Sequence, residues 1–69
     1  LGAGKLKLVE NWMQAHQYDS FSGVTFYSDS INDLPLMEAV EFPKAVNPDI
    51  KLEAISNERG WEVIYLPII

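Results

Sequence analysis

A polar turn between two apolar segments holds the residues of this chain that are best suited to chemistry. Asp29 and Asp33 lie four residues apart, with Asn32 between them, directly after the β-branched and aromatic segment 23–28. Carboxylates at the carboxyl end of a strand in an open α/β sheet can hold a hard cation such as Mg²⁺, which takes one or two carboxylates and keeps positions for water and phosphate oxygens. The same residue types are also common in turns and helix caps. Composition alone therefore favours turn and cap residues over a metal site.

The segments around this turn alternate between helix and strand signals. Helical spacing or helix-start signals occur in three segments: 5–16, 33–40 and 47–59. The composition of buried strands occurs in three others: 23–28, 42–46 and 61–66. We expect Asp33 to cap the second helix, and Asn47 followed by Pro48 to begin the third.

Alternation of this kind predicts an α/β fold, because parallel strands need helical crossovers. We expect one domain over residues 1–69, a partial Rossmann-like three-layer fold with a short parallel sheet of about three strands flanked by helices. The apolar segment 23–28 is predicted to be the central strand. A narrow sheet leaves two open edges, so self-association through these edges is expected.

The bulk composition excludes some classes of partner. Ten Asp and Glu against five Lys and Arg give a formal net charge of -5, whereas binders of nucleic acid usually present a basic stripe. No apolar run is long enough to span a membrane, and there is no secretory signal, so we expect no membrane partner and a cytoplasmic location. A chain of 69 residues without cysteine has a small core and no disulfide to reinforce it. These features indicate a piece of a larger protein or an oligomer.

Several strings resemble those of haloacid dehalogenase-like phosphatases. The string at 28–33, Ser-Asp-Ser-Ile-Asn-Asp, resembles the fourth motif of that superfamily, commonly Gly-Asp-Gly-x-Asn-Asp, with serine where both glycines usually stand. The phosphoserine phosphatase-like branch often shows a Tyr-Ser/Gly-Asp-Ser form, so these departures favour that branch. The strings at 45–49 and 59–61 also resemble it, and Gly4-Lys5 before a helix resembles the third motif.

The resemblance implies hydrolysis of a small, phosphoserine-like phosphomonoester through an aspartyl-phosphate intermediate, with Mg²⁺ as cofactor. Asp29 matches the magnesium ligand, and Asn32 matches a position that hydrogen-bonds near the phosphate or its water. Asp33 matches the second acid, which acts in the outer shell or holds the lysine. Lys5 matches the lysine that neutralises phosphoryl charge. Its alternative is a solvated helix-start lysine, and Lys7 is the neighbouring candidate, expected on another helix face.

The first motif of the family, Asp-x-Asp-x-Thr/Val, occurs nowhere in the chain. We therefore expect the chain to be the C-terminal part of a phosphatase core domain, inactive alone, with the nucleophile, the second motif and a cap domain upstream. One alternative is a phosphorylation-domain piece of another phosphotransfer protein, such as a P-type ion pump. The other is a non-catalytic module whose strand edges bind a partner.

Three further residues have structural interpretations. His16 at a helix end is expected to interact with the helix dipole rather than to bind a ligand. Trp12 and Trp61 are expected in the core.

Overall fold

The computed structural model describes residues 2–67 and has an α/β architecture. In chain order the elements are α1 (Gly2–Ala15), β1 (Thr25–Ser28), a 3-10 turn (Ile31–Asp33), α2 (Leu34–Ala39), β2 (Phe42–Val46), α3 (Ile50–Arg59) and β3 (Glu62–Ile64). The three strands of the described part form one parallel sheet. The predicted fold class and the short parallel sheet are confirmed.

The central strand is β2, which pairs with β1 on one side and β3 on the other. The prediction of segment 23–28 as the central strand was wrong. Each helical crossover moves the chain one position in the same direction, so the strand that is second in the chain is also second in the sheet. Apolar composition indicates that a strand is partly buried but not where it lies in the sheet. β1 and β3 form the two edges among the described residues, and self-association through them stays a prediction.

The core lies between the sheet and two helices. It is formed by Met37 of α2, Ala45 of β2 and Leu52 of α3, which are all fully buried. Trp61 is partly buried and packs against this cluster, as predicted. Because α2 and α3 meet the same strand residue, both helices cover the same face of the sheet.

The opposite face of the sheet carries exposed aromatic side chains. Side chains alternate across a strand, and Tyr27 and Phe42 on this second face are 58% and 46% exposed. No helix of the described residues 2–67 covers this face, because α2 and α3 both pack on the other face and α1 packs on α2.

The C-terminal part of α1 differs from expectation at Trp12, which is 55% exposed. Its ring stacks on His16, with the centroids 4.1 Å apart, and on Tyr18. The prediction that Trp12 lies in the core was wrong, because α1 packs on α2 rather than on the sheet and buries only Met13 of its own residues. His16 Nδ1 lies 2.8 Å from the Trp12 carbonyl oxygen, which agrees with its expected structural role.

The start of α3 also differs from expectation. Asp49 is the N-cap, and its Oδ1 accepts a hydrogen bond from the Leu52 N–H over 2.7 Å. Asn47 instead has a φ of 44° and pairs with the backbone of Leu66, accepting from its N–H over 2.9 Å and donating to its carbonyl oxygen over 3.0 Å. The prediction that Asn47 begins the helix was wrong because its amide is engaged across the sheet end. Gly60 ends α3 with a φ of 71°, as predicted.

Candidate active site

The four predicted site residues converge on one cleft at the carboxyl end of β1. Its volume is about 310 Å³, and its lining consists of Lys5, Asp29, Ser30, Asn32 and Asp33. Lys5 comes from α1, and the others come from the turn between β1 and α2. The structure therefore brings together residues that are up to 28 positions apart in the chain, although their individual roles stay predictions.

A second cleft of about 520 Å³ lies beside the first and shares Asp29 and Asp33 with it. It extends past the carboxyl ends of the other two strands, where Asn47 and Leu66 contribute to its wall. Open α/β sheets bind ligands at this edge. The two adjoining clefts leave room for a ligand larger than a phosphate group.

Asp33 is buried and connects α1 to the end of β1. Its Oδ1 lies 2.5 Å from Lys5 Nζ, and its Oδ2 accepts a hydrogen bond from Ser28 Oγ over 2.6 Å. Burial by itself raises the pKa of the Asp33 carboxyl, but the hydrogen bonds from Lys5 and Ser28 and the charge of Lys5 outweigh it, so the pKa lies below its ordinary value. Asp33 therefore stays ionised at neutral pH and holds the Lys5 ammonium group at the cleft.

The expected capping role of Asp33 is not seen. Asp33 occupies the N-cap position of α2, but its side chain makes no capping hydrogen bond. The prediction was wrong because both carboxylate oxygens are directed to Ser28 and Lys5.

Asp29 is the exposed carboxylate of the cleft. Among residues 2–67, the ion pairs and side-chain hydrogen bonds at this turn involve Asp33 and Asp49 and leave the Asp29 carboxylate free. An exposed carboxylate at an open cleft fits the oxygen coordination that Mg²⁺ prefers. No group of three or more His, Cys, Asp or Glu side chains gathers within the described residues. Asp29 is the carboxylate of the cleft that these contacts leave available to a metal ion.

Asn32 lies where the start of α1 approaches the turn. Its backbone N–H donates to Ser30 Oγ over 3.1 Å, and its side chain is exposed at the cleft. A Cβ added to Gly2 would stand only 2.1 Å from the Asn32 carbonyl oxygen, whereas one added to Gly4 would meet nothing within 4 Å. Gly2 is therefore the glycine that lets α1 bring Lys5 to the cleft, whereas the string that resembles the third motif contains Gly4.

Substitution of these two glycines should have opposite effects on stability. Gly4→Ala should raise the free energy of unfolding by roughly 0.5–1 kcal/mol, because alanine loses less backbone entropy in a helix. Gly2→Ala should lower it by about 1–3 kcal/mol, because the new methyl group forces α1 away from the turn. Urea unfolding of both variants measures the difference. Equal stabilisation by both would show that α1 does not contact Asn32.

Two further residues contact the candidate site without being predicted as site residues. In the sequence Ser28 is only a departure from glycine, yet its Oγ donates a hydrogen bond to Asp33 Oδ2. In the sequence Asp49 belongs to a helix-start signal, yet its Oδ2 accepts a hydrogen bond from the Ile31 N–H over 2.8 Å. Hydrogen bonds from the Ile31 and Leu52 backbones hold the pKa of the Asp49 carboxyl below its ordinary value. The only sequence signal is that Ser28 begins the string 28–33 and Asp49 ends the string 45–49.

Several known phosphatases contain a segment that is similar to this chain. A histidinol-phosphatase of Neisseria meningitidis is 42% identical over 66 residues, which make up 93% of this chain and 30% of the relative. A phosphoserine phosphatase of Mycobacterium tuberculosis is 49% identical over 62 residues, 90% of this chain and 20% of the relative. The chain is homologous to phosphatases. The resemblance to phosphatases that the sequence predicts is confirmed, and its individual motifs stay predictions.

Further relatives agree with this homology. A probable phosphatase of Mycobacterium tuberculosis is 53% identical over 63 residues, 91% of this chain and 22% of the relative. A crystal structure of a protein of unknown function from Bordetella pertussis matches with a TM-score of 0.77 and 39% identity, over 91% of this chain and 29% of that chain. No protein-family model matches the chain. The chain spans between a fifth and a third of the length of these curated relatives.

Proposed function

We propose that this segment supplies the metal-binding and charge-neutralising part of a Mg²⁺-dependent phosphatase that hydrolyses a small phosphomonoester. The observation that carries the proposal is the convergence of Lys5, Asp29, Asn32 and Asp33 on one cleft at the carboxyl edge of a parallel sheet. Phosphatase names among the homologues support the reaction class. Two of those names specify phosphoserine and histidinol phosphate, and a phosphoserine-like ester is the substrate that we propose.

Each residue has a distinct part in this proposal. Asp29 would hold Mg²⁺, and the ion when bound would neutralise negative charge on the phosphoryl group. Lys5 contributes a second positive charge, fixed by its contact with Asp33. Asn32 offers an exposed amide that can hydrogen-bond to a phosphate oxygen or to a water molecule. These contributions are electrostatic and positional, which is what phosphoryl transfer chiefly requires.

The covalent step needs a group outside these residues. In the proposed reaction an aspartate oxygen attacks phosphorus and the ester P–O bond breaks, so that the alcohol leaves after its oxygen takes a proton. Water then attacks the aspartyl phosphate, which releases inorganic phosphate and regenerates the aspartate. No Asp-x-Asp string is present in the 69 residues. We therefore propose that a longer protein supplies the nucleophile, and that the 69 residues alone do not turn over substrate.

A magnesium titration of the 69-residue chain tests the metal assignment. We expect weak binding, because one carboxylate is only part of a coordination shell. Amide NMR shifts should move at Asp29 and its neighbours, and Asp29→Asn should abolish these shifts. Asp19→Asn is the matched control, because it removes an exposed aspartate from a loop outside the cleft. Tight, saturable binding that survives Asp29→Asn would refute the assignment.

The uncovered sheet face favours a second candidate function. Tyr27 and Phe42 are exposed there, and a non-catalytic module could use this surface and the strand edges to bind another protein. Such a module needs no metal, so a chain without any Asp29-dependent response to Mg²⁺ would favour it. No helix within residues 2–67 is long and apolar enough to cross a lipid bilayer.

A further inference from the structure

We propose that Asp49 is a positioning residue that fixes the location of the Asp29 carboxylate. This inference rests on the proposed function, in which Asp29 is the metal ligand. Asp49 follows β2 and contacts the turn that follows β1, so it joins the carboxyl ends of two neighbouring strands.

Two hydrogen bonds tie the turn to Asp49 on either side of Ser30. The Asp49 N–H donates to the Asp29 carbonyl oxygen over 2.8 Å. Asp49 Oδ2 accepts from the Ile31 N–H, also over 2.8 Å. One residue, 18 positions away from Ile31, thereby restrains both ends of the short segment that contains the proposed metal ligand.

Helix capping accounts for only half of this arrangement. Asp49 Oδ1 satisfies the Leu52 N–H of α3, and one side-chain oxygen is sufficient for an N-cap, which is why serine is as good a cap as aspartate. The second oxygen is directed at Ile31, the first residue of the 3-10 turn, whose N–H has no partner within that turn. A carboxylate is the side chain of this size that can accept both hydrogen bonds at once.

This geometry has a consequence for metal binding. A carboxylate on a loose turn must be ordered when it binds an ion, and that ordering lowers affinity. Partners that orient a ligand without touching the metal therefore influence affinity strongly. The strand β1 fixes the residue before Asp29, and Asp49 fixes the residues at and after it.

The substitution Asp49→Ser separates the two roles in the 69-residue chain, because serine can cap α3 but cannot also accept from Ile31. Amide hydrogen exchange should show unchanged protection at Leu52 and about two- to fivefold less protection at Ile31. In the magnesium titration, the dissociation constant should rise about tenfold. Asp19→Ser, the same change at an exposed aspartate outside the cleft, should alter neither quantity. Asp49→Asn, which keeps the shape but has a single acceptor oxygen, is the second variant if Asp49→Ser does not fold.

The outcomes distinguish this inference from the proposed function. Unchanged protection at Ile31 would overturn the inference, and so would reduced protection with unchanged magnesium affinity, since Asp49 would then be only structural. Both results leave the Asp29 assignment intact. A wild-type chain without an Asp29-dependent magnesium response would overturn the metal assignment, and the positioning role would fail with it.

Discussion

In a full-length phosphatase that contains this segment, Asp29→Asn should lower Mg²⁺-dependent hydrolysis of phosphoserine by at least about 100-fold. The substitution removes the one free carboxylate of the cleft and keeps its size. A bound ion contributes several kcal/mol of charge stabilisation, and each ~1.4 kcal/mol changes the rate tenfold. Because Asp29 is exposed, the folded structure should survive, with a change in the free energy of unfolding within roughly 0.5 kcal/mol.

Steady-state rates at increasing Mg²⁺ concentration would measure this effect. A variant with weakened metal binding should recover part of its activity at high Mg²⁺, which a misfolded variant would not do. Asp19→Asn provides the control for the loss of one negative charge and should retain the wild-type rate. Unchanged turnover in the Asp29 variant would contradict both the motif assignment and the proposed role.

Local sequence patterns predicted the elements of the fold better than their arrangement. The segment 42–46 was placed with the bounds that the structure shows, and Gly60 was identified as the stop of α3. Both depend on short-range chemistry: residues with high β-propensity in one case, and a glycine that adopts the left-handed backbone conformation in the other. The position of a strand within the sheet and the exposure of Trp12 depend on which surfaces meet in three dimensions. A pattern along the chain does not report those contacts.

In the candidate site, too, local patterns predicted neighbouring residues but not the contacts between elements. Asp29, Asn32 and Asp33 lie in one short turn, so a motif could identify them together. Lys5 was assigned only through the family resemblance, because its proximity to Asp33 depends on how α1 packs against the turn. The contribution of Asp49 was missed for a physical reason: an aspartate before a helix is already explained by capping, and its second acceptor is visible only when the neighbouring strand end is in place.

The second large effect is expected at Lys5. In the same full-length protein, Lys5→Ala should lower the turnover number by about 100-fold, the typical loss when one fixed group that stabilises transition-state charge is removed. The Lys5 ammonium group is 2.5 Å from Asp33 Oδ1, and its side chain is 51% exposed at the cleft. The ammonium group is therefore held by Asp33 and still has N–H groups that can donate to a phosphate oxygen. Lys7→Ala is the matched control, because Lys7 is exposed on the same helix but does not line the cleft.

A double-variant cycle tests whether Asp33 acts through Lys5. If the Asp33 carboxylate serves turnover mainly by holding the ammonium group, Asp33→Asn should lower the turnover number by itself but have little further effect once Lys5 is alanine. Independent roles would instead give multiplicative losses in the double variant. Because Asp33 is buried and also accepts from Ser28, urea unfolding of each variant must show that the protein is folded at the assay temperature. Equal loss of turnover in Lys5→Ala and Lys7→Ala would contradict the assignment, since only Lys5 reaches Asp33.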